Sequence, residues 1–392
     1  MNRPQPFRIA IDQAALDDLA ARLAHPRWPP TFGGCWTDGI DDAHCRALVE
    51  AWRALDWRAV EEDLNAFPQF QIDVDGEAIH FVHLKGKGPA PKPLILSHGW
   101  PSSFSEWLRI GPMLADPGAH GGDPADAFDV IIPSLPGTGF SDIPRAAGTS
   151  PRVVAGKWVK RMAALGHDRF FAHGCDWGSY VTSLLGLQHP EHAVAIHTGM
   201  VSLAAPRDGS EGEPSPHDRA YAKARKRWQE EELGYIGIQG TRPQTLAYAL
   251  TDSAVGLAAW IGEKWHRWVD PETPIDRRAV LTNIAIYWFT GTINSANRYY
   301  FESRRDPVSL APGQKVEVPS GFFLERASGE RGQSVAGLPD RAGAPSRERA
   351  ARAFNVQRWF EAPRGGHFPA LEVPDLLGLE LRDFFRPYRD RL

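Results

Sequence analysis

"AHGCDWGSYV", residues 172–181, puts a carboxylate where a sharp turn presents a single side chain. Gly174-Cys175-Asp176-Trp177-Gly178 fits the frame small-x-nucleophile-x-small. That frame makes a strained strand-to-helix turn that lifts its central residue over the edge of a sheet. A serine in this seat adds to a carbonyl carbon and leaves an ester that water cleaves. At a saturated carbon the same serine would leave an ether, which water does not readily cleave. A carboxylate attacking a saturated carbon makes an ester inside the protein, with a carbonyl for water to attack. Asp176 therefore points to covalent displacement at an sp³ carbon. The plainer reading, an aspartate capping the helix that begins near Gly178, is outweighed by the full frame after a strand.

The surroundings fit such a turn. "PLILSHGWP" (93–101), "FDVIIPSLPGTGF" (128–140) and "RFFAHGCDWGS" (169–179) are short apolar runs broken by Gly or Pro. They alternate with helical stretches at 150–165 and 178–188, which argues for parallel strands buried on both faces of a doubly wound α/β sheet. "FQIDVDGEAIHFVHL" (70–84) alternates around Asp75-Gly76, a hairpin signal. Upstream, a short strand is expected around Phe7–Ile11. An amphipathic helix using Leu16, Leu19 and Leu23 follows and ends at Pro26, with a second helical stretch near 42–66. Residues 201–303 read as helices without strands. Strand signal returns at 315–322 and 354–368, before a last helix near 373–386. The expected organisation is an N-terminal helical segment (1–68), two halves of one core (69–200 and 304–392) and a helical cap or lid (201–303). Residues 325–350 look like a surface loop.

Composition narrows the class. Of 392 residues 42% are apolar and 23% charged, ordinary for a soluble globular protein. A net charge of −4 gives no case for nucleic acid or an anionic membrane. Cys35, Cys45 and Cys175 lack zinc-type pairing and make a disulfide framework unexpected, so a reducing, cytoplasmic setting is read. The N-terminus lacks an uninterrupted apolar stretch, so neither a signal peptide nor a membrane anchor is expected. A homo-oligomer is left open.

An ester on Asp176 needs a base for water and a group to orient that base. His367, in "RGGHFPALEVP" (364–374), follows the nucleophile in the chain order this turn usually keeps, and its glycines permit a tight loop. The acid should follow the strand ending near Val318, where Glu325, Glu330 and Asp340 are available, and spacing does not choose among them. "SHGWPSS" can aim the Trp100 N–H at the nucleophile's seat, with Trp177 supplying a second donor. "PGTGFSD" (136–142) lacks a P-loop ending and is discounted as a phosphate signal. HExxH and CxxC are absent, so no metal-ligand spacing is present.

With these motifs in hand, the chain resembles the microsomal-type epoxide hydrolases of the α/β-hydrolase fold over nearly its whole length. "HGWPSSFSEW", "IPSLPGTGFSD", "GCDWGS", "GYIGIQGTRPQTLAYALTDSAVGLAAWIGEKW", "YWFTGTINSANRYYFE" and "RGGHFPALEVP" carry the resemblance. It implies Asp176 as nucleophile, His367 as the water-activating base, and Tyr235 and Tyr300 as cap phenols that polarise the epoxide oxygen. A phenol of pKa about 10 donates without being ionised at neutral pH. The family's acid follows a Phe-Pro pair. Leu338-Pro339-Asp340 falls in that place, so Asp340 is expected, with Glu325 and Glu330 as alternatives. The sequence departs from the pattern by an insertion at about 322–337 and a shortened spacer after Pro339. The implied reaction joins a hydrophobic epoxide and water into a vicinal diol and needs no metal or organic cofactor. A haloalkane dehalogenase would share Asp176 and His367 but needs halide donors, and the paired tyrosines favour the epoxide. A binding protein that has lost turnover is the other rival.

Overall fold

A computed structural model describes residues 3–33, 35–206, 213–325 and 343–392. Nine strands form one sheet: β1 Gln5–Pro6, β2 Gln69–Val74, β3 Glu77–Leu84, β4 Lys92–Ser97, β5 Phe128–Pro133, β6 Phe170–Gly174, β7 Ala193–Thr198, β8 Val316–Leu324 and β9 Phe354–Glu361. Their spatial order is β1-β2-β3-β5-β4-β6-β7-β8-β9. The first three pairings are antiparallel and the other five parallel.

Asp75 and Gly76 join β2 to β3 with φ +57° and +81°. Two left-handed residues match the twist of a two-residue hairpin, hence Asp-Gly here. The central strands are buried on both faces. Ile95, Ile131 and Ala172 pack with Trp158 and Leu184 from the helices Pro151–Ala164 and Trp177–Gln188. Leu94, Leu96 and Phe171 pack on the opposite side with Leu381 and Phe385 of the helix Pro374–Phe385. Helices on both faces of a mostly parallel sheet make this a doubly wound α/β architecture, as expected.

Two local expectations need correction. The strand expected around Phe7–Ile11 is only Gln5–Pro6. Beyond it the Ile9 and Ile11 amides donate to Asn65 Oδ1 and Glu61 Oε2, both at 2.9 Å, so side chains of a neighbouring helix replace a strand partner. The helical stretch at 42–66 is two helices, Asp42–Arg53 and Trp57–Asn65, because Asp56 caps the second by accepting from the Ala59 amide.

Between β7 and β8 the described residues form six helices and no strand. Two of them, Arg277–Thr290 and Ile293–Ser303, sit on the loops after β4 and β5. Asn283 Nδ2 and the Tyr287 hydroxyl donate to the carbonyls of Pro101 and Ser102. Ser295 and Tyr299 donate to those of Gly137 and Pro136. The PGTG turn, discounted for phosphate, thus seats a helix over the C-terminal edge of the sheet. Among the described residues no helix is long and apolar enough to cross a membrane, and Cys35, Cys45 and Cys175 are free thiols.

Candidate active site

Asp176 sits between β6 and the helix Trp177–Gln188 with φ +51° and ψ −122°. A non-glycine residue holds such a conformation only when its surroundings impose it. They do: a Cβ on Gly174 would collide with the Gly178 carbonyl, and one on Gly178 with the Ser97 carbonyl. Both small residues of the frame are sterically required. The Trp100 N–H donates to Asp176 Oδ1 at 2.9 Å. Trp177 opens the helix, so its N–H is among the first-turn donors that lack an intrahelical carbonyl. His98 braces this turn from below. Its Nε2 accepts from the Leu135 amide at 3.1 Å, leaving Nδ1 to donate to the Gly99 carbonyl at 2.9 Å. Burial lowers its pKa to about 4, so it stays neutral.

His367 Nε2 lies 3.5 Å from Asp176 Oδ2, the oxygen that Trp100 does not hold. The loop that carries the imidazole is organised by a residue sequence reasoning passed over. Glu372 Oε2 accepts from the amides of Gly366 (2.8 Å) and Asp270 (2.7 Å), and Oε1 from that of Phe368 (2.9 Å). Asp270 Oδ2 accepts the Gly365 amide, and the His367 amide donates to the Trp268 carbonyl, each at 2.9 Å. One buried carboxylate therefore pins both neighbours of His367. Burial pushes its pKa up to about 7 against the pull of those three amides. A signal was present in "HFPALE": a glutamate five residues after the histidine, at the start of a helix.

A second buried acid, Glu106, lies close enough for Asp176 and Glu372 to act on it. Burial first, then those two charges, push its pKa up to about 8, while a hydrogen bond with Ser102 pulls the other way. That shift favours the protonated acid, which adds no negative charge near the nucleophile.

A cavity of about 450 Å³ opens over Asp176. Trp177, Tyr235, Trp268, Tyr300, Glu325 and His367 line it, with Tyr221, Arg225 and Trp228 also contributing. Tyr235 and Tyr300 come from the helices Gly234–Thr241 and Ile293–Ser303, are 8% and 6% exposed, and have ring centroids 5.7 Å apart. Trp100 stacks on Tyr235 at 5.2 Å, and Trp177 meets Tyr300 edge to face at 4.8 Å. Burial, then the Tyr235 phenol and the Asp176 charge, hold the Tyr300 pKa well above the usual phenol value. It remains a donor. Lys264 Nζ lies 4.8 Å from the Tyr235 ring centroid.

Of the three candidate acids, Glu325 is described. It follows the last residue of β8 and lines the same cavity as Asp176 and His367. Glu330 and Asp340 lie outside the described residues. The described part of the expected 325–350 loop does reach the cavity, through Glu325, Gly343, Ala344 and Pro345.

Two family models match the chain: "Epoxide hydrolase N terminus" over residues 4–107 and "alpha/beta hydrolase fold" over 92–235. A Stigmatella aurantiaca (strain DW4/3-1) protein named "Putative epoxide hydrolase" is 40% identical over 391 residues, covering 98% of this chain and 85% of that one. "Epoxide hydrolase 1" of Oryctolagus cuniculus is 31% identical, covering 97% and 88%. The solved structure of Aspergillus niger epoxide hydrolase superposes with a TM-score of 0.83 at 29% identity, covering 98% and 96%. None of these comparisons favours a haloalkane dehalogenase. The chain belongs to the epoxide hydrolases of the α/β-hydrolase fold.

Proposed function

We propose that this epoxide hydrolase works through an ester on Asp176, with each site residue acting as follows. Oδ1 is held by the Trp100 N–H, so Oδ2 is free to attack an epoxide carbon. As the C–O bond breaks, Tyr235 and Tyr300 donate to the leaving oxygen, and one phenol gives up its proton. His367 then takes a proton from water, which adds to Cγ of Asp176. Charge develops on Oδ1, already in contact with the Trp100 N–H, and the Trp177 N–H supplies a second donor. Collapse expels the diol oxygen, which takes the proton of the newly formed Asp176 carboxyl group, and the proton on His367 returns to the phenolate. Epoxide and water become a vicinal diol, and the enzyme is restored.

Glu325 is the acid we assign to orient His367 in place of Asp340, because it follows β8 and lines the cavity. Residues 201–303 act as the cap that brings the phenols, residues 69–200 and 304–392 as the core, and residues 1–68 as its N-terminal brace. The aromatic lining favours a hydrophobic epoxide.

The observation that carries this reading is the 3.5 Å approach of His367 Nε2 to Asp176 Oδ2, under two buried phenols. Intact-mass analysis of His367→Gln after exposure to a terminal aryl epoxide tests it. The expected result is a gain of the whole epoxide mass, absent in Asp176→Asn. An adduct only with an alkyl halide in a parallel tube, lighter by the lost acid, would overturn it.

A further inference from the structure

At the opposite end of the sheet from Asp176, three side chains that no sequence motif links meet around one point. His83 comes from β3, Asp129 from β5, and His167 from the turn after the helix Pro151–Ala164. In the β3–β5 ladder His83 pairs with Ile131, so Asp129, two residues from Ile131, projects from the same face. His167 is fixed differently. Gly166 takes φ +85°, and the amides of Gly166 and His167 donate to the carbonyls of Ala163 and Met162, both at 2.9 Å. That paired closure is a left-handed helix stop, and it locks the backbone of the residue that follows the glycine.

The three donor atoms lie within 4.8 Å of one another, with Asp129 Oδ2 3.9 Å from His83 Nε2 and 3.7 Å from His167 Nε2. Neither ring nitrogen has a hydrogen-bond partner, although each is buried and His83 as a whole is only 9% exposed. A buried, unpartnered nitrogen costs about 1–3 kcal/mol unless something fills the gap. Here two such nitrogens face one carboxylate oxygen.

We propose that His83, Asp129 and His167 form a binding site for a divalent transition-metal cation of the Zn²⁺ class. Two imidazoles and a carboxylate are donors that such ions accept in tetrahedral geometry, with water as the fourth ligand. Tetrahedral bonds of roughly 2.0–2.1 Å put neighbouring donors about 3.3 Å apart, so the cluster must contract by about an ångström.

Two cations compete with the metal. Lys85 Nζ sits 3.0 Å from Asp129 Oδ2, but its side chain is 71% exposed and free to swing out. Arg161, held over the Phe81 ring at 4.2 Å, acts on His83 from the adjacent helix. The site is remote from the chemistry. Pro93 of β4 pairs with Asp129 and Ser97 with Gly174, so about 13 Å of strand separates the two ends. Metal binding should therefore stabilise this end of the β3–β5 pair and leave turnover unchanged.

The full chain, stripped with a chelator and titrated with Zn²⁺ by calorimetry at about pH 7.5, tests this. Co²⁺ titrated in parallel reports tetrahedral geometry by visible absorption. The expected result is one equivalent bound with Kd on the order of micromolar. Asp129→Asn and His167→Gln, confirmed as folded by circular dichroism, should each weaken it at least ~10-fold, while Lys85→Met tightens it. Absence of saturable binding below ~1 mM, or binding unchanged in both weakening variants, would overturn the site.

Discussion

The main-chain N–H of Trp100 reaches within 2.9 Å of Asp176 Oδ1 because the residue before it, Gly99, has no side chain. A Cβ at Gly99 would overlap the Asp176 carboxylate itself. The glycine of "HGWP" is thus a condition for the oxyanion donor, and not only a turn former.

Gly99→Ala should accordingly lose turnover while keeping the fold. Removing one such donor costs roughly 10²–10³ in kcat. Steady-state kcat beside a circular dichroism spectrum checks this. A variant with normal kcat would show that Trp100 is dispensable.

Tyr235→Phe and Tyr300→Phe each remove one donor to the epoxide oxygen while leaving the stacked rings in place. A hydrogen bond to developing charge is worth about 1.5–3 kcal/mol, or roughly 10–150-fold in kcat/KM for either phenol. The double variant should fall well below both. Tyr287→Phe is the control: its hydroxyl donates to the Ser102 carbonyl, away from the cavity lining.

Glu325→Gln and Asp340→Asn separate the two acids. Loss of the orienting carboxylate costs up to about 10⁴ in kcat in related triads, so Glu325→Gln should fall by ~10²–10⁴ and accumulate the ester by mass. Asp340→Asn should stay within about twofold of the parent. The reverse pattern would return the role to Asp340.

Glu372→Ala should destabilise strongly. It strips the amides of Gly366, Phe368 and Asp270 of their acceptor, and a broken buried network of this kind costs about 3–5 kcal/mol. Urea unfolding measures the loss, and a change below ~1 kcal/mol would mean that water replaces the carboxylate.

Glu106 sets a pH dependence. Its folded pKa, pushed up to about 8, exceeds the unfolded glutamate value near 4.3. Between these values the folded state binds more protons than the unfolded chain, so stability falls as pH rises through this window and levels off above it. The full swing is on the order of 5 kcal/mol. Glu372, raised to about 7, adds a slope of the same sign. Glu106→Gln should flatten the fall in melting temperature between pH 5 and 8 that the parent shows. An equal fall in both proteins would mean that Glu106 is already ionised at neutral pH.

What the sequence determined by itself was local. Gly174 can pass the Gly178 carbonyl four residues on only because it lacks a Cβ, so this part of the elbow around Asp176 is written in a short frame, and Asp75-Gly76 specifies its hairpin by two left-handed residues. Short apolar runs between helices made the doubly wound sheet legible for the same reason: burial on both faces leaves no polar alternation. Tertiary structure decided everything that needed two distant segments. Glu372 holds an amide 102 residues away, Tyr235 and Tyr300 meet across two helices, and His83, Asp129 and His167 converge from two strands and a helix stop. Backbone sterics act over a few residues and are written in short motifs. Hydrogen bonds, charges and metal ligation act through space, between residues whose separation along the chain carries no information about their distance.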